Sequence, residues 1–408
     1  MNVLFLTLVG INSIKERGIY QDLLRKFKSE GHQVTIVTPV ERRKRINTNL
    51  SLKDGVNILQ VKTLNITKTN VIEKGFGTLA IEYQYLAAVK KYLKHIKFDL
   101  VLYSTPPITL VKVIEYIKKR DNAYAYLLLK DIFPQNAIDM KMMKPNSFLH
   151  RYFTKKEKVL YQISDTIGCM SPANVDFVLK HNPEIAPTKV EVNPNSIESI
   201  EVNYTKVEKE AIRSKYGLPL DKKILVYGGN LGKPQGLNFL LETITSCNNQ
   251  DAFFLIVGDG TEFSRIQNWF NTNSPQSAIL LQRLPKHDYD VLLASCDVGL
   301  IFLHKDFLIP NFPSRLLSYL EMKMPIIAAT DPNTDIGTII EKNKCGYKAN
   351  TGDLIQMQEK ITQILSDNLE EMGKNGFNLL MNEYLVGNSY KLIECKIENS
   401  TQVLISNL

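Results

Sequence analysis

The sequence predicts an α/β protein built from two Rossmann-like domains, and three observations carry that prediction. Short apolar, β-branched runs alternate with longer helical patterns, which is how a parallel sheet covered by helices reads in sequence. The alternation lapses near residues 194–204 and then restarts. At 408 residues the chain is long enough for two or three domains, each burying its own core. With 44% hydrophobic and 23% charged residues the composition is ordinary and globular, which excludes a disordered chain, a collagen and a small disulfide scaffold.

Taken in order, strands are expected over 3–8, 33–38, 57–61, 100–104, 124–129, 166–170 and 189–192, with a helix over 19–28 after the first of them. After the lapse they resume at 223–227, 253–257, 278–281, 298–303 and 325–329. This divides the chain into a first domain over 1–200, a second over 201–385 and a C-terminal segment, 386–408. Helical spacing from about residue 381 to 408 lets that end pack back across either domain, and a cleft is expected between the two. The start MNVLFLTLVG lacks a basic lead-in and a small-residue cleavage site, so it reads as a strand and not a signal peptide. No run of 18 apolar residues occurs, so the sequence predicts no membrane span, although the protein can still lie on a membrane.

Charge is unevenly spread. Residues 1–200 hold 30 Lys and Arg against 18 Asp and Glu, a net of +12; the remainder holds 20 against 24, a net of −4. The first half should therefore meet something anionic. Cys169, Cys247, Cys296, Cys345 and Cys395 are widely spaced with no C-x-x-C pair, as expected of buried thiols in a reducing compartment. The six histidines have no ligand spacing, and neither metal nor cofactor is expected.

Doubly wound sheets bind ligands beyond the carboxyl ends of their strands, so chemistry belongs in the turns there. Four turns stand out. Gly10 and Gly18 bracket the first; amides near Gly18 either hold a phosphate or merely serve the turn. In GGNLGKPQGL, Gly228, Gly229, Gly232 and Gly236 let backbone amides approach an anion, with Asn230 and Lys233 beside them. Next comes VGDG with Gly258 and Asp259, the latter either a site residue or a cap for the following helix. The fourth is PSRLLSYLE, where Pro313 and Ser314 suit a helix start. Arg315 there opposes the helix dipole, which makes sense if a diphosphate lies between them.

Together with KDIFPQNAID at 130–139, SDTIGCMS at 164–171, NPNSIE at 193–198 and PSRLLSYLEMKMPIIA at 313–328, these motifs resemble, in order and over nearly the whole chain, glycosyltransferase family 4. That family comprises retaining enzymes of the GT-B fold that use nucleotide sugars. The chain looks like its bacterial branch containing fucosaminyltransferases of capsule and O-antigen assembly. The resemblance implies a UDP-sugar donor, with N-acetyl-L-fucosamine as the expected sugar. It also implies a lipid-diphosphate-linked acceptor, association with other polysaccharide-assembly enzymes, and a cytoplasmic, peripheral-membrane location.

It implies site residues too. Arg315, Lys233 and amides near Gly18 and Ser314 are expected around the diphosphate, because positive groups stabilise the departing charge. The base is expected near Arg283 and Leu284. Asp131 is the candidate for orienting or deprotonating the acceptor hydroxyl, beside Lys130 where many relatives carry histidine. The family's paired glutamates fall on Pro310 and Ser318; Ser318 is a weaker ribose acceptor, and Glu321, one helical turn on, is a candidate replacement. The family's loop Arg and Lys fall on Asn230 and Gln235. Asp288-Tyr289-Asp290 matches a metal-binding D-x-D pattern but reads as the start of a helix.

The basic surplus centres on residues 133–161. There Phe133, Met140, Met142, Met143, Phe148, Tyr152 and Phe153 mix with Lys141, Lys144, Arg151, Lys155, Lys156 and Lys158, the composition of an interfacial membrane contact or of a solvated helix over a core. Arg42 to Arg45 read as a mobile loop. Two other functions compete: a UDP-sugar 2-epimerase of the same fold, which needs acidic groups and a histidine, and a nucleic-acid-binding or scaffold protein. Against nucleic acid, the aromatics lie among methionines and not in a stacking row.

Overall fold

The computed structural model describes residues 1–66 and 71–406. The α/β expectation holds: the chain forms two units, each a sheet with helices. The first comprises residues 1–197 and 386–408 and the second 198–385.

In the first unit, β1 (Asn2–Leu6), β2 (Gln33–Glu41), β3 (Asn49–Lys53), β4 (Val56–Thr63), β5 (Leu100–Ser104), β6 (Tyr124–Leu129), β7 (Thr166–Cys169) and β8 (Val190–Val192) lie in the order β3-β4-β2-β1-β5-β6-β7-β8. All neighbours are parallel except β3 and β4. The sequence reading missed β3, although its signal was present: Asp54-Gly55 takes φ of 52° and 72°, the double positive φ of a tight hairpin turn.

The second unit carries β9 (Lys223–Asn230), β10 (Ala252–Asp259), β11 (Ala278–Gln282), β12 (Val298–Phe302), β13 (Ile326–Thr330) and β14 (Gly346–Asn350) in the order β11-β10-β9-β12-β13-β14, all parallel. The strand order reverses between β9 and β12, where such a sheet opens a crevice. Here the opening has a named cause. Only Leu225 and Val226 of β9 pair with β12. Beyond them the Tyr319 hydroxyl sits between the strands, accepting from Gly228 N at 3.2 Å and lying 3.1 Å from the carbonyls of Val226 and Leu300. It satisfies backbone groups that the parting of the strands would otherwise orphan.

Two expectations, on Arg42 to Arg45 and on the cysteines, are corrected here. The helix Leu369–Glu383 closes the second unit, and the C-terminal segment is a second helix, Val386–Ser406, with residues 407 and 408 outside the described residues. The second helix packs on the first unit, with Tyr390 edge-on to Phe27 at 5.0 Å and its hydroxyl 2.9 Å from His32 Nε2. Arg42–Lys44 form a helical turn in which Arg43 pairs with Glu41. Cys395 is exposed and Cys247 half-buried, while Cys169, Cys296 and Cys345 are buried.

Within residues 133–161 the structure separates interior from surface. Phe153 is buried and packs edge-on against Phe133 at 5.0 Å, and Lys156 reaches inward to the buried Glu82 carboxylate at 2.9 Å. Neither faces a membrane, because both lie on the inner face of the helix Phe148–Ile163. No helix among the described residues is long and apolar enough to cross one.

Candidate functional site

At the carboxyl ends of β9, β10 and β11 lies a pocket of about 490 Å³, wholly within the second unit. Its lining gathers residues from four separate turns: Gly228, Gly229 and Asn230 after β9; Val257, Gly258 and Asp259 after β10; Arg283, Leu284, Lys286 and Tyr289 after β11; and Ser314, Arg315 and Ser318 from the helix Arg315–Glu321.

Arg315 dominates the geometry. Its guanidinium lies over the Tyr227 ring, 4.2 Å from the centroid, and Nη2 donates to Gln235 Oε1. Nη1 is buried without a hydrogen-bond partner. A buried charged donor left unpaired is costly, so the arrangement is suited to an anion supplied from outside the chain. Arg315 thus lines the pocket, and Gln235, standing where the resembled family has a cation, helps hold it.

The loop after β9 is shaped for close approach. Gly229 has φ 114°, a conformation L side chains rarely adopt, and faces the guanidinium. A Cβ on Gly228 would lie 2.0 Å from the Tyr289 hydroxyl, so only glycine lets that ring close the floor. Burial pushes the Tyr289 hydroxyl well above its ordinary pKa, keeping it protonated and a donor.

Several sequence expectations move. Lys233 and Pro313 do not line the pocket; Lys233 is exposed on the short turn Lys233–Gln235. Gly236 packs against the loop after β12, where a Cβ would come 2.6 Å from the Leu303 carbonyl oxygen. Asp259 caps no helix: its carboxylate accepts from Gly260 N at 2.8 Å, and the next helix begins only at Phe263. The Gly18 amide donates to the buried Asp22 carboxylate at 3.1 Å, so an internal anion already stands at that helix start. Glu321 is buried and accepts from Ile200 N at 3.0 Å, outside the pocket lining. It is no stand-in for the missing glutamate. Lys286 and Tyr289 were missed because they lie in a helix whose apolar spacing reads as ordinary packing.

Asp288 and Asp290 both fall in the helix Lys286–Leu293, two residues apart and hence on different faces, and Asp290 pairs with Lys286. That donor set does not fit a shared metal ion. Among the described residues no group of three His, Cys, Asp or Glu is arranged to hold one.

In the first unit Lys130 and Asp131 follow β6. The Thr105 hydroxyl accepts from both their amides, at 3.0 and 3.2 Å, and Asn136 Nδ2 donates to Asp131 Oδ2 at 2.6 Å. Burial raises the Asp131 carboxyl to about 6 against the pull of that bond, and lowers the Lys130 ammonium to about 7. Lys130 Nζ donates to the Asn193 carbonyl at 3.2 Å. A carboxylate that ionises near neutrality at a strand end is suited to handling a hydroxyl proton.

Two Rossmann-like sheets, the second with a cation-bearing pocket at its switch point, match the GT-B architecture of solved glycosyltransferase structures. Residues 208–379, within the second unit, match the family described as Glycosyl transferases group 1. Over 389 residues the chain is 22% identical to the probable glycosyltransferase WbjE of Pseudomonas aeruginosa, covering 92% of each chain. A 135-residue stretch is 27% identical to the putative colanic acid biosynthesis glycosyl transferase WcaI of Escherichia coli K12, 32% of each chain. Sucrose-phosphate synthase of Thermosynechococcus elongatus superposes with a TM-score of 0.76 at 14% identity, covering 99% of both chains. Anabaena HepE in complex with UDP and glucose gives 0.71 at 12% identity, over 98% of this chain and all of that one.

Proposed function

We propose that this protein is a retaining, metal-independent glycosyltransferase of polysaccharide assembly. It takes a sugar from a UDP-sugar in the second-unit pocket and gives it to a lipid-diphosphate-linked saccharide at the cytoplasmic face of a membrane. The orphaned Nη1 of Arg315 carries the reading: a buried, pre-positioned guanidinium in a glycine-walled pocket matches a diphosphate. The glycosyltransferase domain match and the UDP complex of HepE support the nucleotide.

In this reading the C1–O bond to the diphosphate breaks, UDP leaves with the electron pair, and Arg315 and Lys286 stabilise its charge. Arg283 and Leu284 border the base, and Ser318 faces the ribose. Asp131 orients the acceptor hydroxyl and takes its proton. Family resemblance points to an N-acetylated 6-deoxyhexosamine such as N-acetyl-L-fucosamine, in capsule or O-antigen synthesis.

Calorimetric titration with UDP tests the carrying observation. Arg315→Ala should weaken binding about tenfold or more, the worth of a charge-assisted hydrogen bond. UDP binding of equal strength in the folded variant would sink the proposal. The donor sugar follows from a panel of UDP-sugars offered with one lipid-diphosphate-linked saccharide, monitoring UDP release.

A further inference from the structure

At the end of β6 the backbone is fixed, but one side chain there is long and loose. The Thr105 hydroxyl holds the amides of Lys130 and Asp131, and Asn136 holds the Asp131 carboxylate. Lys130 ends a flexible four-carbon stem, so its head needs an anchor of its own. That anchor is the Asn193 carbonyl, which accepts from Lys130 Nζ at 3.2 Å. The remaining hydrogens of Nζ have no partner among the described residues, and Lys130 is only half-buried, so they are open to a molecule from outside the chain.

Asn193, fully buried just after β8, is itself held at every polar group. Its amide donates to the Cys169 carbonyl at 2.7 Å, its Nδ2 donates to the Tyr126 hydroxyl at 2.8 Å, and its Oδ1 accepts from Ser389 Oγ at 2.6 Å. The Tyr126 hydroxyl in turn donates to Glu191 Oε1 at 2.7 Å, and Glu191 Oε2 pairs with Lys396 Nζ at 3.1 Å. A Cβ on Gly168 of β7 would lie 2.8 Å from both the Asn193 Cβ and the Tyr126 hydroxyl, so glycine lets the two close over that strand.

Ser389 and Lys396 stand seven residues apart, two turns along one face of the helix Val386–Ser406. That helix is already anchored by Val386, Tyr390, Ile393 and Ile397, which join the apolar core of this unit. A buried hydroxyl that trades water for one partner adds little to such anchoring. Its effect is directional: it fixes which way the Asn193 amide lies, and with it where the Asn193 carbonyl stands under Lys130.

We propose that Asn193 and Ser389 are positioning residues of sugar transfer: from the C-terminal helix they fix the Lys130 amine beside Asp131 and leave its remaining hydrogens for the substrate. This role rests on the glycosyl-transfer reading, in which Lys130 touches the substrate and Ser389 acts only through Asn193. Without the Ser389 bond, Asn193 Oδ1 is buried and unpaired. As that side chain turns to find another donor, the carbonyl on the same residue moves, and Lys130 loses its place.

Steady-state kinetics of the full chain tests it, with a UDP-sugar and a lipid-diphosphate-linked saccharide from which wild type releases UDP. Ser389→Ala should lower kcat about three- to tenfold, because a small displacement of a reacting group is costly, while the KM for the UDP-sugar and the affinity for UDP stay at wild-type values. Ser389→Thr, which keeps the hydroxyl, should retain most of the wild-type kcat. Lys130→Met should lower kcat further, and adding Ser389→Ala to it should cost nothing more, because the two act as one unit. Lys391→Ala, an exposed change on the same helix, should match wild type. A merely structural Ser389 would instead lower the melting temperature and add its loss to that of Lys130→Met. Wild-type kcat in Ser389→Ala would overturn the proposal, as would additive losses in the double variant, or a Ser389→Thr as slow as alanine at equal melting temperature. Absence of UDP release by wild type with every UDP-sugar offered would overturn the glycosyl-transfer reading, and this role with it.

Discussion

Arg315 is held by an aromatic face on one side and an amide oxygen on the other, and still has donors to give. Arg315→Lys should therefore weaken UDP binding nearly as much as alanine does, because an ammonium cannot reach the Tyr227 face, Gln235 and a phosphate together. Gln235→Ala should cost several-fold by freeing the guanidinium, and calorimetry reads both. Asp131 yields a pH prediction. Activity should rise with pH through about 6 as the carboxyl ionises, and Asn136→Ala should move that limb upward, because the Asn136 bond favours the ionised form. The sign for stability is opposite. A carboxyl raised in the folded state contributes stability below its unfolded value, about 4, and that is lost as pH rises through about 6. Asp131→Asn should accordingly gain on wild type in urea midpoint between pH 4 and 7. Arg315 was legible as a residue out of place against a helix dipole; its partners were not, since Tyr227 and Gln235 lie about 80 residues away in sequence.

Among the elements, the helix Arg315–Glu321 does two jobs, presenting Arg315 and inserting Tyr319 between β9 and β12. Tyr319→Phe should lower stability by about 1–3 kcal/mol, the cost of a buried unsatisfied group, and weaken UDP binding as Gly228 shifts. Denaturant melts followed by UDP titration separate the two effects. The C-terminal helix Val386–Ser406 is tied down similarly: Ser389 Oγ donates to the buried Asn193 Oδ1 at 2.6 Å, and Lys396 pairs with Glu191 at 3.1 Å. Most strands were legible from their apolar runs. β3 and β14 were not, because one is mostly exposed and the other, GYKAN, carries glycine, lysine and asparagine, so neither shows an apolar run. The break at Tyr384 falls at the boundary expected between residues 385 and 386, and packing on different units parts the two helices.

For the molecule as a whole, net charge proved a coarse guide. The acidic second half holds a pocket lined by Arg283, Lys286 and Arg315, and part of the first half's surplus is consumed internally. Lys156→Met should destabilise the protein by about 3 kcal/mol by stranding the buried Glu82 charge, read as a lowered urea midpoint. The sequence by itself determined the two α/β units, the order of the glycine turns and the presence of Arg315 at a helix start, because each is written in local periodicity and turn chemistry. Only the tertiary structure decided which cations face outward, which turns meet in one pocket, and that Lys233 and Glu321 stand outside its lining. Those outcomes depend on contacts between residues far apart in the chain, which no local pattern encodes.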